Sequence, residues 1–384
     1  MPLRRNFKDL RIVLKLLLAG KFEVSWQRPQ SVELVIWDEM GSQHLLDALE
    51  PSSHYILRVR NHPIFLHPLI VWETLISALT RRNTHYGIVI KYCKPKAVVT
   101  TIDNNSRFHK AAYRNSGLRF VAIQNGVSLN RRFPDEPISI VPGATLNSEY
   151  LCFGQNEIDS YHAIGYQFRK IVVMGSLKNA LFFMRRNDLK KGFQRSERGD
   201  ILLISQFRRQ LLEPSPIRAL EEYGQVVSFL KSYLKSHPEL RVSVALRARN
   251  DDPDQQAEKT YHQEKFGNLA TLIPKDQDWM SSYHATDQFN VVLTASSTLG
   301  LESLARGHKT LVCDIRLCDT FADLAFNPDW ILSRLDQETF DDATTTLLCM
   351  PLEGFVSRNK KSIDYIMIAP DENSISEFQR YVFE

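Results

Sequence analysis

The chain alternates short apolar runs with segments of helical period. Val32 to Trp37, Tyr55 to Val59, Ala97 to Ile102, Phe120 to Ile123, Tyr150 to Phe153 and Ile171 to Met174 read as strands. Helices are predicted from Ser42 through Leu49, over Leu66 to Leu79 and Tyr86 to Tyr92, and from Ser106 to Asn115. Residues 128–147, with Pro134, Pro137 and Pro142, read as a loop. From Arg185 to Asp200 charge is dense and apolar residues are sparse, which suits a linker. The alternation then restarts, with strands at Ile201 to Ile204, Val242 to Leu246, Thr271 to Ile273, Val291 to Thr294 and Thr310 to Cys313. Pro214 to Ser236 reads as a helix, and the tail from Asp336 to Glu384 as mainly helical. Such alternation predicts α/β architecture with parallel sheets and right-handed crossovers. The expected fold is two Rossmann-like domains, residues 1–190 and 191–384, facing a central cleft, with the last helices crossing back to the first domain.

One stretch concentrates the candidate chemistry. The strand at Val291 ends in Ser296, Ser297 and Thr298, and Leu301, Leu304 and Ala305 follow with helical spacing up to the break at Gly307. The hydroxyls are placed to cap the helix. With Gly300 they also suit a phosphate at a helix N-terminus, and Glu302, one turn in, suits a ribose. By itself the segment equally describes an ordinary capped turn between strand and helix, and it lacks a full Walker or Rossmann glycine pattern.

Ligands of open parallel sheets lie beyond the carboxyl ends of the strands. Polar clusters stand at those ends here: Asp38-Glu39, Asp103 to Ser106, Gln124 to Gly126, Gln155 to Glu157, Ser205 to Arg209, Arg247 to Asp252 and Ser296 to Gly300. Turns are polar anyway, but the helix-to-strand joins mostly lack such clusters.

Composition narrows the class. An apolar fraction of 43% and a charged fraction of 24% are those of a globular protein. A net charge of +4 is too mild to imply nucleic acid. Cys93, Cys152, Cys313, Cys318 and Cys349 are scattered and odd in number, which fits buried thiols in a reducing cytosol and gives no zinc spacing. Residues 1–21 carry an apolar stripe, Leu10, Val13, Leu14, Leu17 and Leu18, and a basic one, Arg4, Lys8, Arg11 and Lys15. That pattern reads either as a helix on the anionic inner face of the cytoplasmic membrane or as a packed helix with a solvated basic face.

Several motifs carry a resemblance. Trp37-Asp38-Glu39-Met40-Gly41-Ser42, Lys94 to Asn105, Val121 to Gly126, Phe153-Gly154 and Gly175-Ser176-Leu177-Lys178-Asn179 resemble a bacterial surface-carbohydrate biosynthesis family of transferases. Ser296 to Glu302 is similar to the donor-site motif of GT-B glycosyltransferases, a group that includes capsule Kdo (3-deoxy-octulosonate) transferases and teichoic-acid polymerases. The resemblance covers roughly residues 32–315. It departs from the polymerases at Arg247-Ala248-Arg249, where they carry a His after an Arg-Pro pair.

What the resemblance implies is a cytoplasmic glycosyltransferase, peripheral on the membrane face if residues 1–21 lie there. It moves a sugar, Kdo from CMP-Kdo being one option, from a nucleotide donor to a glycan or lipid-linked glycan acceptor, with no cofactor beyond that co-substrate and no metal. A UDP-sugar epimerase of similar fold is a variant of this reading. A non-catalytic sugar- or nucleotide-binding homologue in a polysaccharide assembly complex is the alternative. Glycosyl transfer needs a base or a carboxylate nucleophile and positive charge for the leaving phosphate. The candidate catalytic carboxylates are Glu157, Asp251, Asp103 and Glu39. The donor-binding candidates are Ser205, Gln206, Arg247, Arg249, Ser296, Ser297, Thr298, Gly300 and Glu302. Arg247 and Arg249, two apart on an extended segment, point to one side and can clamp a phosphate or carboxylate, or else pair with Asp251 or Asp252.

Overall fold

The computed structural model describes residues 24–59, 64–65, 67–80, 84–126, 145–163, 165–189, 199–212, 218–314 and 328–384. The expected amphipathic helix at 1–21, nearly all of the 128–147 loop, the middle of the linker and Cys318 lie outside these residues. The chain divides into two compact units. One comprises Met1–Asn125, Arg131–Leu181 and Glu372–Glu384, and the other Gly126–Asn130 and Phe182–Asp371.

In the first unit, β1 (Val24–Ser25) pairs with β4 (Ile64–Phe65) in a two-stranded ribbon. The main sheet holds β2 (Leu34–Trp37), β3 (His54–Leu57), β5 (Ala97–Thr100), β6 (Phe120–Ile123), β7 (Thr145–Cys152) and β8 (Gln167–Val173), in the order β3-β2-β5-β6-β7-β8. Every pairing is parallel. β2, β5 and β6 are buried along their whole length. Burial on both faces is why they read as continuous apolar runs without alternation. The helices are α1 (Ser42–Leu49), α2 (Pro68–Thr80), α3 (His85–Cys93), α4 (Ser106–Arg114) and α5 (Gln155–Ala163). Trp37 packs edge-on against Tyr86 and Phe108. The turn into α1 is closed by Gly41 at φ 76°, where a Cβ would run into the Thr101 side chain. Thr101 Oγ1 in turn donates to the Met40 carbonyl at 3.2 Å.

α6 (Leu177–Leu189) runs across the division between the units. The second unit has a five-stranded parallel sheet of β9 (Gly199–Ile204), β10 (Val242–Arg249), β11 (Thr271–Lys275), β12 (Phe289–Thr294) and β13 (Lys309–Val312), in the order β11-β10-β9-β12-β13. Its helices are α7 (Arg218–Ser236), α8 (Gln255–Phe266), α9 (Ser281–Asp287), α10 (Thr298–Ala305), α11 (Gln337–Cys349) and α12 (Leu352–Ile366). From central β9 the chain steps outward through β10 to β11, then returns to the other side of β9 for β12 and β13. The order of strands therefore reverses between β9 and β12.

The last helix, α13 (Ser374–Phe383), belongs to the first unit. Ile375, Phe378 and Val382 are buried, and Gln379 donates to the Ala48 carbonyl at 2.8 Å. Arg119 fixes the far end of the helix. It is paired with Glu149 at 3.0 Å, donates to the Val382 carbonyl at 3.1 Å and stacks over Tyr381, its guanidinium carbon 4.8 Å from the ring centroid. Burial pushes the Glu149 pKa up, but the bonds from Arg119 and Tyr381 outweigh it and hold it below the usual range. Phe378→Ala should therefore lower the unfolding free energy by roughly 3–5 kcal/mol. Urea denaturation measures this, and a loss under about 1 kcal/mol would mean that the helix is peripheral to the core.

Candidate functional site

Polar side chains gather at the carboxyl ends of both sheets. In the second unit they centre on the point where strand order reverses. Ser205 follows β9 and Ser296 follows β12, so the two loops flank the crevice where ligands of such sheets bind. Gln206 laces them together. Its Oε1 accepts from the Ser296 N–H at 2.7 Å and its Nε2 donates to Ser296 Oγ at 3.0 Å. Thr294 Oγ1 accepts from the Ser297 N–H at 3.0 Å. Of the predicted donor residues, Ser205, Gln206, Ser296, Ser297 and Thr298 thus share one strand-end region.

Beneath them lies a buried network that sequence reasoning missed. Glu258 is fully buried and its carboxylate accepts from the backbone N–H of Arg247 at 2.8 Å, from that of Ala248 at 2.7 Å and from Ser205 Oγ. His262 Nε2 lies 3.1 Å from Ser205 Oγ and 3.3 Å from the Tyr223 hydroxyl, and burial lowers its pKa to about 4, so the ring is neutral at pH 7. The available signal was a Glu and a His on the face of α8 that also carries Tyr261 and Phe266.

β10 extends through Arg249. Ala248 is buried while Arg247 and Arg249 are exposed, which places both arginines on the same side of the strand. Neither pairs with Asp251 or Asp252 among the described residues. Arg247 Nη1 donates to the Phe207 carbonyl at 3.3 Å, and Asp252 instead accepts from the Asp254 N–H at 2.8 Å. Asp251 is exposed in the turn after β10.

Three expectations need correction. Ser297 is the N-cap residue of α10, but its side chain makes no capping bond, because Thr294 and Gln206 already order the turn. Gly300 faces inward: a Cβ there would collide with the Thr294 side chain, so the glycine permits α10 to lie close on β12. Glu302 does not open at the mouth of the helix. It is 3% exposed and accepts from the Tyr283 hydroxyl at 2.7 Å. Next to this pair, Arg306 stacks over Phe182 and Tyr283 at 5.0 and 5.1 Å and reaches Asp287, which also holds Arg186 and His308. Burial raises the Asp287 pKa, but His308, Arg306 and Arg186 together bring it down to about 2.

In the first unit the structure brings two of the four candidate carboxylates into one electrostatic environment. Asp103 follows β5 and its Oδ2 accepts from the Tyr150 hydroxyl at 2.8 Å. Glu157, in the first turn of α5, is buried and accepts from Gln124 Nε2 at 2.8 Å, while Gln124 Oε1 accepts from the Phe153 N–H at 2.7 Å. Burial pushes the Asp103 pKa up, the Tyr150 bond pulls it down, and the charge of Glu157 pushes it up again, leaving it at about 7. His109 braces the loop, with Nε2 2.7 Å from the Asp103 carbonyl and Nδ1 2.9 Å from Ser148 Oγ. Lys178, at the start of α6, donates to Asn125 Oδ1 at 2.6 Å. Glu39 does not join the carboxylate pair; it is exposed and pairs with Arg58 at 3.6 Å.

Two parallel-sheet Rossmann-like units, each with its polar groups at the strand ends, define a GT-B-like α/β protein. The chain belongs to a family described as "putative O-antigen biosynthesis protein", which it matches over residues 121–330. A sequence search of curated proteins finds no match. Solved structures share the fold at low identity. UDP-GlcNAc 2-epimerase from Neisseria meningitidis, bound to UDP-GlcNAc, is 11% identical with a TM-score of 0.55, covering 90% of this chain and 98% of its own. A UDP-forming trehalose-phosphate synthase from Burkholderia xenovorans is 9% identical with a TM-score of 0.53, covering 92% and 98%. The wall teichoic acid polymerase TagF with CDPG is 10% identical with a TM-score of 0.53, covering 100% and 97%.

Two outcomes follow from this geometry. Gly300→Ala should destabilise the protein by roughly 1–3 kcal/mol through overpacking against Thr294, read as a lower urea midpoint; an unchanged midpoint would contradict the close approach. Asp103 titrates at about 7 in the folded state against 3.8 ordinarily. The folded state therefore holds a proton that the unfolded chain releases, and this stabilisation is complete below about pH 4 and lost as pH rises through about 7. Melting temperature against pH should fall less across that window in Asp103→Asn than in wild type. Parallel curves would exclude a raised Asp103 pKa.

Proposed function

We propose that the protein is a glycosyltransferase of cell-surface polysaccharide assembly that uses a nucleotide-sugar donor. The observation that carries this reading is the strand-order reversal in the second unit, where Gln206 holds the Ser296 loop beside the end of β9. Ser205, Gln206, Ser296, Ser297 and Thr298 form the donor region. Arg247 and Arg249 provide charge for the phosphate that departs with the nucleotide. Membership of the O-antigen family supports a surface glycan as product. Neighbours of the same fold that bind or form UDP compounds, or carry CDPG, support a nucleotide-linked substrate. Kdo from CMP-Kdo is the donor suggested by the sequence motifs, and a glycan or lipid-linked glycan is the acceptor.

In the reaction, the bond between the anomeric carbon and the donor phosphate breaks, and a bond from the acceptor oxygen to that carbon forms. The acceptor proton needs a base. Asp103, with its pKa near neutrality, matches that task at pH 7; burial chiefly, with the charge of Glu157 adding to it, sustains the raised value. Glu302 acts indirectly in this reading by holding Tyr283 under α10.

Thermal shift with CMP, CDP, UDP and GDP tests the donor region, since a ligand of the folded state alone raises its melting point. At a concentration about 100 times its Kd, the cognate nucleotide should stabilise the protein by roughly 2.7 kcal/mol. Arg249→Ala should weaken that response. Asp103→Asn should keep it but lower sugar transfer by about 100-fold or more. If no nucleotide shifts the melting point, the donor reading fails. If a sugar nucleotide is converted to its epimer with no transfer of the sugar to an acceptor and no net release of nucleotide, the epimerase reading replaces transfer.

A further inference from the structure

One face of α2 is exposed. Ile70 is buried, while Glu73 accepts from the Tyr92 hydroxyl at 2.8 Å and meets Lys91 Nζ at 3.3 Å, and Thr74 bonds to His85. These contacts turn one side of the helix toward α3. Leu69, Trp72 and Ile76, at i, i+3 and i+7, fall with Leu75 on the other side and are exposed, Trp72 at 63%. Trp26 is 70% exposed. The β1–β4 ribbon sets Ser25, the residue before Trp26, opposite Phe65, three residues before α2 begins. Four of the nine exposed large hydrophobic side chains among the described residues therefore lie on α2, and a fifth, Trp26, follows the strand paired next to it, a concentration that scattered surface residues do not produce.

We propose that this face of α2, together with Trp26, docks on a bilayer that carries anionic lipid. Two features select that partner. Tryptophan suits the boundary between headgroups and acyl chains, because its ring is apolar and its N–H still finds water. The stretch that leads into β1 is basic, with Arg4, Arg5, Lys8, Arg11, Lys15 and Lys21 against Asp9 and Glu23, and Val24 pairs with Ile64 next to α2. An apolar face and a basic stretch in one chain are two signals that together give a peripheral protein firmer attachment than either alone. The docking rests on residues other than those of the donor region, so its failure would leave the transferase reading untouched.

The test uses the full chain with vesicles of phosphatidylcholine alone and of phosphatidylcholine mixed with phosphatidylglycerol. Binding should require the anionic lipid and weaken with salt. Trp72→Ser with Ile76→Ser should lower vesicle affinity about tenfold to a hundredfold while the melting temperature without lipid stays that of wild type. Brominated acyl chains should quench wild-type tryptophan fluorescence more than that of the Trp72→Ser variant. A chain lacking residues 1–23 should bind more weakly but keep the greater part of that quenching difference. Unchanged affinity in the double variant, or equal quenching with and without Trp72, overturns the proposal. So does a lipid-free dimer in light scattering that the double variant makes monomeric, since a second copy would then be the occupant. Increased chemical oxidation of Trp72 after deletion of residues 1–23, without lipid, would also overturn it, by showing the chain's own leading segment on this face.

Discussion

A buried carboxylate must be met by donors, and Glu258 is met by three. Two are backbone N–H groups at the end of β10 and the third is the hydroxyl that ends β9. The direction in which β10 leaves the sheet, and hence the outward set of Arg247 and Arg249, depends on this anchor. So does the place of Ser205, from which the next residue reaches across to the Ser296 loop. The candidate donor edge of the second unit is assembled on one internal acid that itself faces no solvent, with His262 and Tyr223 completing its surroundings.

The first unit solves a similar problem differently. Its carboxylates are not satisfied by strand-end amides alone but by a tyrosine and a glutamine, Tyr150 for Asp103 and Gln124 for Glu157. One acid is left with its charge discouraged near neutral pH. His109, kept neutral by burial, stiffens the loop without adding a charge to it. The two units therefore differ in kind: one edge is rich in hydroxyls and arginines, the other carries an acid whose pKa burial raises to about 7.

The architecture was legible because buried parallel strands advertise themselves. β6 coincides with its apolar run, and β2, β5 and β13 differ from theirs by a few residues at the ends. Asp103, Glu157, Gln206 and the serine loop could be nominated because polar residues immediately after such runs stand at the carboxyl edge of a sheet. Glu258 and His262 were lost for the converse reason: on the inward face of a helix, a polar residue looks like an interruption of the pattern until its partners are known. Glu302 was misplaced because helical spacing fixes its turn but not its rotation, and rotation turned it inward to the Tyr283 hydroxyl. Ring contacts such as Arg306 over Phe182 join residues more than a hundred positions apart, which local pattern cannot register.

The return of α13 to the first unit has a consequence for biosynthesis. The second unit lies almost wholly within one continuous stretch, whereas the first is interrupted by it and finished only by Glu372–Glu384. During vectorial synthesis, domains fold largely in the order in which they emerge. Here the first unit must wait, with the surface around Ala48 and Arg119 uncovered, until nearly two hundred further residues have been translated. Nascent chains stalled before α13 would leave the surface around Ala48 and Arg119 open to chaperones and proteases.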